Sequence, residues 1–89
     1  MDFVGFIEVF YVVMDNVICM QGLRDIRIKK GYTQLKVAMD LNISREALSY
    51  YENGKRSPDL QMLLIMSEYF DVSIHYLITG EEFTPKYPQ

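Results

Sequence analysis

Tryptophan is absent from the chain, cysteine and histidine occur once each, and no lysine or arginine precedes Arg24. A lone Cys19 cannot close an intrachain disulfide, so a small secreted scaffold held by disulfides is excluded. One histidine, His75, unaccompanied by a Ser/His/Asp set, metal-ligand spacing or a glycine-rich phosphate loop, offers no catalytic or metal constellation. No enzyme activity, metal or cofactor is therefore expected. Without a basic start, the apolar stretch 3–20 does not resemble a secretory signal, and Glu8 and Asp15 interrupt it as a membrane span. A reduced, cytoplasmic setting with no membrane contact is the expectation.

What is present suits one folded domain. Eighty-nine residues, 49% hydrophobic and 24% charged, are enough for a single core but not two. The net charge of −3 argues at first against a polyanionic partner, but its distribution reverses that. Eight basic residues (Arg24, Arg27, Lys29, Lys30, Lys36, Arg45, Lys55, Arg56) stand against four acids between Arg24 and Arg56, a local +4. Beyond Arg56, Lys86 is the only base against Asp59, Glu68, Asp71, Glu81 and Glu82. One basic side on an acidic chain is a footprint for nucleic acid.

The most informative stretch is Ser44 to Pro58, S-R-E-A-L-S-Y-Y-E-N-G-K-R-S-P. Ser44 is a helix-capping type, and Gly54 followed by Pro58 marks an end and a new start. Between them Ala47, Leu48 and Tyr51 make an inner face, while Arg45, Glu46, Ser49 and Tyr50 make a polar one. Asn53, Lys55 and Arg56 add donors beside the far end, as reading a DNA groove requires. Upstream, Thr33 can cap a helix to Leu41 with Val37, Ala38 and Leu41 inward, and Asn42-Ile43 makes the turn into Ser44.

The pattern from Thr33 to Pro58, extended back through L-R-D-I-R-I-K-K-G-Y-T-Q and forward through D-V-S-I-H-Y-L-I-T-G, resembles the Cro/XRE-type phage-repressor family of helix-turn-helix proteins. The likeness runs from about Leu23 to Gly80, and many positions agree at once. It implies an all-α, compact five-helix, lambda-repressor-like domain over residues 21–80, with helices near 21–30, 33–41, 44–53, 57–70 and 73–78. Pro58 is expected at the first position of the fourth helix and Ser73 as the cap of the fifth. The core set expected on the fourth helix is Leu60, Leu63, Met66 and Phe70.

The resemblance also implies a function: sequence-specific binding of double-stranded DNA by a transcriptional regulator, as a dimeric repressor on palindromic sites. Carried over by position, Arg45, Glu46, Ser49 and Tyr50 face base edges, whereas Gln34, Asn53, Lys55 and Arg56 face phosphates. Glu46 has two open roles, accepting from a cytosine amino group or holding Arg45 in place. Tyr50 is either a thymine or phosphate contact or a partly buried aromatic. Glu52 is expected to be structural, with Arg27 as its partner, and Lys29, Lys30 and Lys36 to be solvated charge.

Residues 1–20 form an apolar N-terminal arm outside the resemblance. Five β-branched and four aromatic residues between Phe3 and Met14 favour a strand or hairpin. Phe3, Ile7, Phe10, Met14 and Val17 nevertheless fall on one helical stripe, so a helix stays open; so does a natural start at Met20. Such an arm needs an apolar partner surface. Ile28, Leu35 and Met39 are apolar where the family is usually polar, and Met62, Ile65 and Tyr69 form a second stripe outside the expected core. With Phe3, Phe6 and Phe10 they are the candidates for a homodimer contact or arm docking. The tail 81–89 reads as a loose end. The alternative function is an antitoxin or protein-interaction module on the same fold, meeting a protein partner through the arm, with DNA binding secondary.

Overall fold

The computed structural model describes residues 20–82, and these contain five helices: α1 (Gln21–Lys29), α2 (Gln34–Leu41), α3 (Arg45–Glu52), α4 (Leu60–Phe70) and α5 (Ile74–Thr79). The expected arm segment, including Phe3, Phe6 and Phe10, and the tail from residue 83 lie outside the described residues. The all-helical architecture agrees with the expectation.

Four of the five starts are capped by side chains. Thr33, Ser44, Asp59 and Ser73 accept hydrogen bonds from the backbone N–H groups of Lys36, Ala47, Met62 and Tyr76 at 2.8–3.0 Å. Asp59 corrects one expectation. The fourth helix begins at Leu60, so Pro58 precedes it as a buried loop residue instead of opening it.

The first four helices end alike. The amides of Tyr32, Ile43, Lys55 and Val72 reach back across the last turn to the carbonyls of Arg27, Ala38, Tyr50 and Ser67. This closure needs a left-handed residue just before each amide. Gly31 and Gly54 supply it without strain, and Asn42 and Asp71 supply it at φ 58° and 56°. Asn42 thereby makes the sharp turn between α2 and α3.

The core is wholly apolar among the described residues: Met20, Leu23, Ile26, Val37, Ala38, Leu41, Leu48, Leu63, Met66, Phe70 and Leu77. α1, α2 and α4 contribute residues at i, i+3, i+4 or i+7 spacing, the inward stripe of an amphipathic helix, and α3 and α5 contribute Leu48 and Leu77. Met20, read from sequence as the end of the arm, is buried in this core. Gly22 lets α1 lie directly on α5: a Cβ there would sit 1.8 Å from the Tyr76 carbonyl oxygen.

The fourth helix buries Leu63, Met66 and Phe70 as expected and departs from expectation at three positions. Leu60, expected inside, is 70% exposed, and Leu64 and Ile65 share its exposure. Met62 and Tyr69, expected outside, are half-buried against the core. The Tyr69 ring meets Phe70 edge-on at 4.8 Å and Tyr32 at 6.1 Å, and its hydroxyl donates to Asp40 at 2.6 Å. The late start explains Leu60, which occupies the first turn, where little of the core reaches. A phenolic ring at position 69 can bury its face and still satisfy its oxygen, which aliphatic pattern counting overlooks.

Candidate nucleic-acid interface

Helix α3 is fixed in place from both ends. Leu48 is fully buried, Ala47 and Tyr51 are half-buried, and the Ser44 cap holds the first turn. At the other end Glu52 reaches into the domain. Its carboxylate accepts from Arg27 Nε at 2.6 Å and Nη2 at 3.1 Å, and from Gln34 Nε2 at 3.1 Å. Arg27 also donates to the Tyr32 carbonyl at 2.9 Å. One carboxylate thus ties α1, α2 and α3 together, with the Glu52 side chain only 2% exposed. The sequence expectation of a structural Glu52 paired to Arg27 agrees with this geometry.

The outward side of α3 carries Arg45 and Glu46, both exposed, and Ser49 and Tyr50, both half-buried. Arg45 and Glu46 form no ion pair among the described residues, since adjacent helical residues point apart. Asn53 donates to the Ser49 hydroxyl at 3.2 Å, which leaves the Ser49 proton directed elsewhere. Arg56 folds back with its guanidinium carbon 5.5 Å from the Tyr50 ring centre, a cation–π contact that holds both side chains near the end of the helix. Lys55 is exposed beside it.

Along one flank of α3 runs an open depression of about 550 Å³, lined among others by Arg24, Gln34, Leu35, Arg45, Glu52 and Asn53. The structure therefore brings Gln34 and Asn53, read from sequence as phosphate contacts, to one surface with Arg45, read as a base contact. Lys55 and Arg56 follow the end of α3 and do not line the depression. Gln34 is held by Glu52 through one amide proton and keeps its second proton and its carbonyl oxygen.

Two residues stand differently from their sequence reading. Leu35, grouped there with the arm and dimer candidates, is 56% exposed and lines this depression. Arg24 was assigned no site, yet it is exposed on α1 and lines the same surface. The available signal was the three-residue spacing of Arg24 and Arg27, which puts both on one side of α1. Lys29 and Lys30 are exposed, and Lys36 pairs with Asp40 at 3.0 Å and lies over the Tyr32 ring.

Two helices joined by a left-handed turn, the second presenting an open polar face, are the geometry of a groove-reading unit. The helix-turn-helix family matches residues 23–77, more than half of the chain. The chain belongs to this family, in its Cro/XRE branch. The helix-turn-helix chain is 42% identical over 64 residues to the HTH-type transcriptional regulator ImmR of Bacillus subtilis, covering 72% of this chain and 50% of ImmR. It is 40% identical over 62 residues to the HTH-type transcriptional activator BcrR of Enterococcus faecalis, covering 70% of this chain and 30% of BcrR. A third relative, the uncharacterized HTH-type transcriptional regulator YqaE of B. subtilis, is 41% identical over 61 residues, which is 68% of this chain and 53% of YqaE. The chain thus spans about half, or less, of the length of these relatives. Among the described residues no helix is long and apolar enough to cross a membrane.

Proposed function

We propose that this helix-turn-helix chain is a cytoplasmic transcriptional regulator that binds double-stranded DNA sequence-specifically, as a homodimeric repressor. The observation that carries the reading is that Arg45 and Asn53, at the two ends of the family's second motif helix, line one open surface together with Gln34. The relatives' names as transcriptional regulators support the same reading.

In this reading α3 enters the major groove. Arg45 donates two parallel hydrogen bonds to guanine O6 and N7, contributing about 1–3 kcal/mol of discrimination against other bases. Glu46 accepts from a cytosine amino group, a role supported by the lack of an ion pair with Arg45 among the described residues. Ser49 serves the neighbouring base edge, and the Tyr50 ring packs on a thymine methyl. Gln34, Asn53, Lys55 and Arg56 hold phosphates and fix the register. No metal or cofactor enters the scheme.

A single module makes few contacts, so two copies bind half-sites about 34–36 Å apart. The exposed row Leu60, Leu64 and Ile65 on α4, none of which lines the depression, is the proposed contact between copies. Ile28 and Met39, 55% and 70% exposed, remain the proposed seat for the arm carrying Phe3, Phe6 and Phe10. Repression follows from occupancy of a site that overlaps a promoter.

Selection from random duplex DNA with the full chain tests the function. Enrichment of a palindrome, with a reporter under that palindrome silenced by the protein, is the expected result. Absence of enrichment, with only weak salt-sensitive binding, would move the assignment to a protein-interaction module of the antitoxin kind.

A further inference from the structure

The two arginines of α1 stand three residues apart on one helix side, yet their circumstances differ. Arg27 is committed: its guanidinium is held by Glu52 and by the Tyr32 carbonyl, and its side chain is only 11% exposed. Arg24 is exposed and has no ion-pair or hydrogen-bond partner among the described residues. It also lines the depression flanked by Arg45 at the start of α3 and Asn53 at its end. A cation with no partner among the described residues, placed where a groove-reading helix would meet a polyanion, adds to the attraction without a described carboxylate to displace. The carboxylate in that depression, Glu52, is already neutralised by Arg27.

We propose that Arg24 is a phosphate-holding residue that extends the DNA contact surface onto α1, outside the two motif helices. This rests on the DNA-binding reading above and names a further residue for it. Arg24 and the Lys55–Arg56 pair then grip the duplex at different places. Arg24 acts along the flank of α3 that Gln34 and Arg45 share, whereas Lys55 and Arg56 act beyond its C-terminal end. Two separated backbone grips fix the angle at which α3 lies in the groove, which a single grip leaves free to swing. Because phosphate contacts carry no base information, Arg24 contributes to affinity and register and not to the identity of the bases selected. A point charge suffices for such a role, so lysine substitutes for it, unlike at a two-bond guanine contact.

The test measures binding of the full-length chain to its selected site and to a mixed-sequence duplex over a salt series, for wild type, Arg24→Ala and Arg24→Lys. Arg24→Ala is expected to weaken both duplexes several-fold at low salt and to reduce the slope of log K against log salt by about 0.9 per bound copy. The bases selected by that variant remain those of the wild type, and Arg24→Lys keeps most of the affinity. An unchanged melting temperature of Arg24→Ala, expected for an exposed side chain, shows that the loss is not one of folding. Wild-type-like affinity and slope in Arg24→Ala would overturn the proposal while leaving the DNA-binding reading standing. So would a changed base preference, which would make Arg24 a base reader. If the wild type binds neither duplex, the DNA-binding reading itself fails and the assignment of Arg24 fails with it.

Discussion

Arg27 Nε lies 2.6 Å from Glu52 Oε2, joining the first helix to the last residue of the proposed reading helix across 25 positions of sequence. The pair is nearly enclosed, and each member makes three hydrogen bonds, so each partner's removal strands a charge. Glu52→Ala or Arg27→Ala is expected to cost about 3–5 kcal/mol, read by chemical denaturation. A double substitution, Arg27→Met with Glu52→Leu, removes both charges together and is expected to cost less than either single change. A double variant as unstable as the sum of the singles would show that the pair acts through packing alone.

Two glycine substitutions separate steric from conformational cost. In Gly22→Ala the new methyl meets the Tyr76 carbonyl oxygen at 1.8 Å and Gly80 Cα at 3.1 Å, so α1 and α5 must part. A loss of about 1–3 kcal/mol or more is expected, with α5 the element to loosen. Gly31→Ala has open space around the methyl, and its only penalty is the left-handed φ of 75°, about 1–2 kcal/mol. Hydrogen exchange distinguishes them: Gly22→Ala accelerates exchange in α5, and Gly31→Ala does not.

On the proposed interface, charge contacts and base contacts are expected to fail differently. Arg45→Ala relaxes the choice of base at one position of the selected site while weakening binding by about 1–3 kcal/mol. Lys55→Ala and Arg56→Ala weaken all duplexes alike and flatten the salt dependence. Repeating the selection with each variant checks this, and unchanged selection by Arg45→Ala would remove its assigned role.

The Asp40–Tyr69 hydrogen bond gives stability a pH dependence of defined sign. Burial, then the bond to Asp40, pushes the Tyr69 phenol up from 10.0 to about 12. The fold therefore favours the protonated phenol; that contribution is complete below pH 10 and is lost as pH rises through about 12. Asp40 is held below the usual carboxylate value of 3.8, first by the Tyr69 hydroxyl and then by Lys36. Its contribution is present above that value and lost as pH falls through the lowered one. Tyr69→Phe is expected to remove the alkaline limb near pH 12 from a plot of melting temperature against pH and to shorten the acid limb. Spectrophotometric titration of the tyrosines should lose one late-titrating phenol.

Removing residues 1–19 leaves Met20, and hence the described core, in place. The shortened chain is expected to shift toward monomer in sedimentation and to lose preference for palindromes over half-sites. An unchanged mass would separate the arm from dimerisation and leave the α4 row as the contact to test, by Leu64→Glu.

Much of this protein is written in local sequence. The five helices, three of the four side-chain caps, the glycine stops at 31, 54 and 80, and the inward faces of α2 and α3 follow from short-range rules. Each of these depends on residues within one or two turns, where spacing alone decides which side chains meet. The Arg27–Glu52 pair was legible as a complementary charge partner for a glutamate on the family's pattern.

Tertiary structure decided what local rules cannot reach. Leu60 and Tyr69 are both apolar enough for a core; the late start of α4 leaves the leucine exposed, whereas the Tyr69 ring packs on Phe70 and Tyr32 with its hydroxyl on Asp40 of α2. Gly22 reads as an ordinary weak spot in a helix until Tyr76, 54 positions later, fills the space a methyl would need. Arg24 and Arg27 are alike in sequence; which one is spent on Glu52 and which stands open beside Arg45 is set by how α1 packs across α3. Burial and partner choice are properties of contacts between distant segments, and those exist only once the helices are packed.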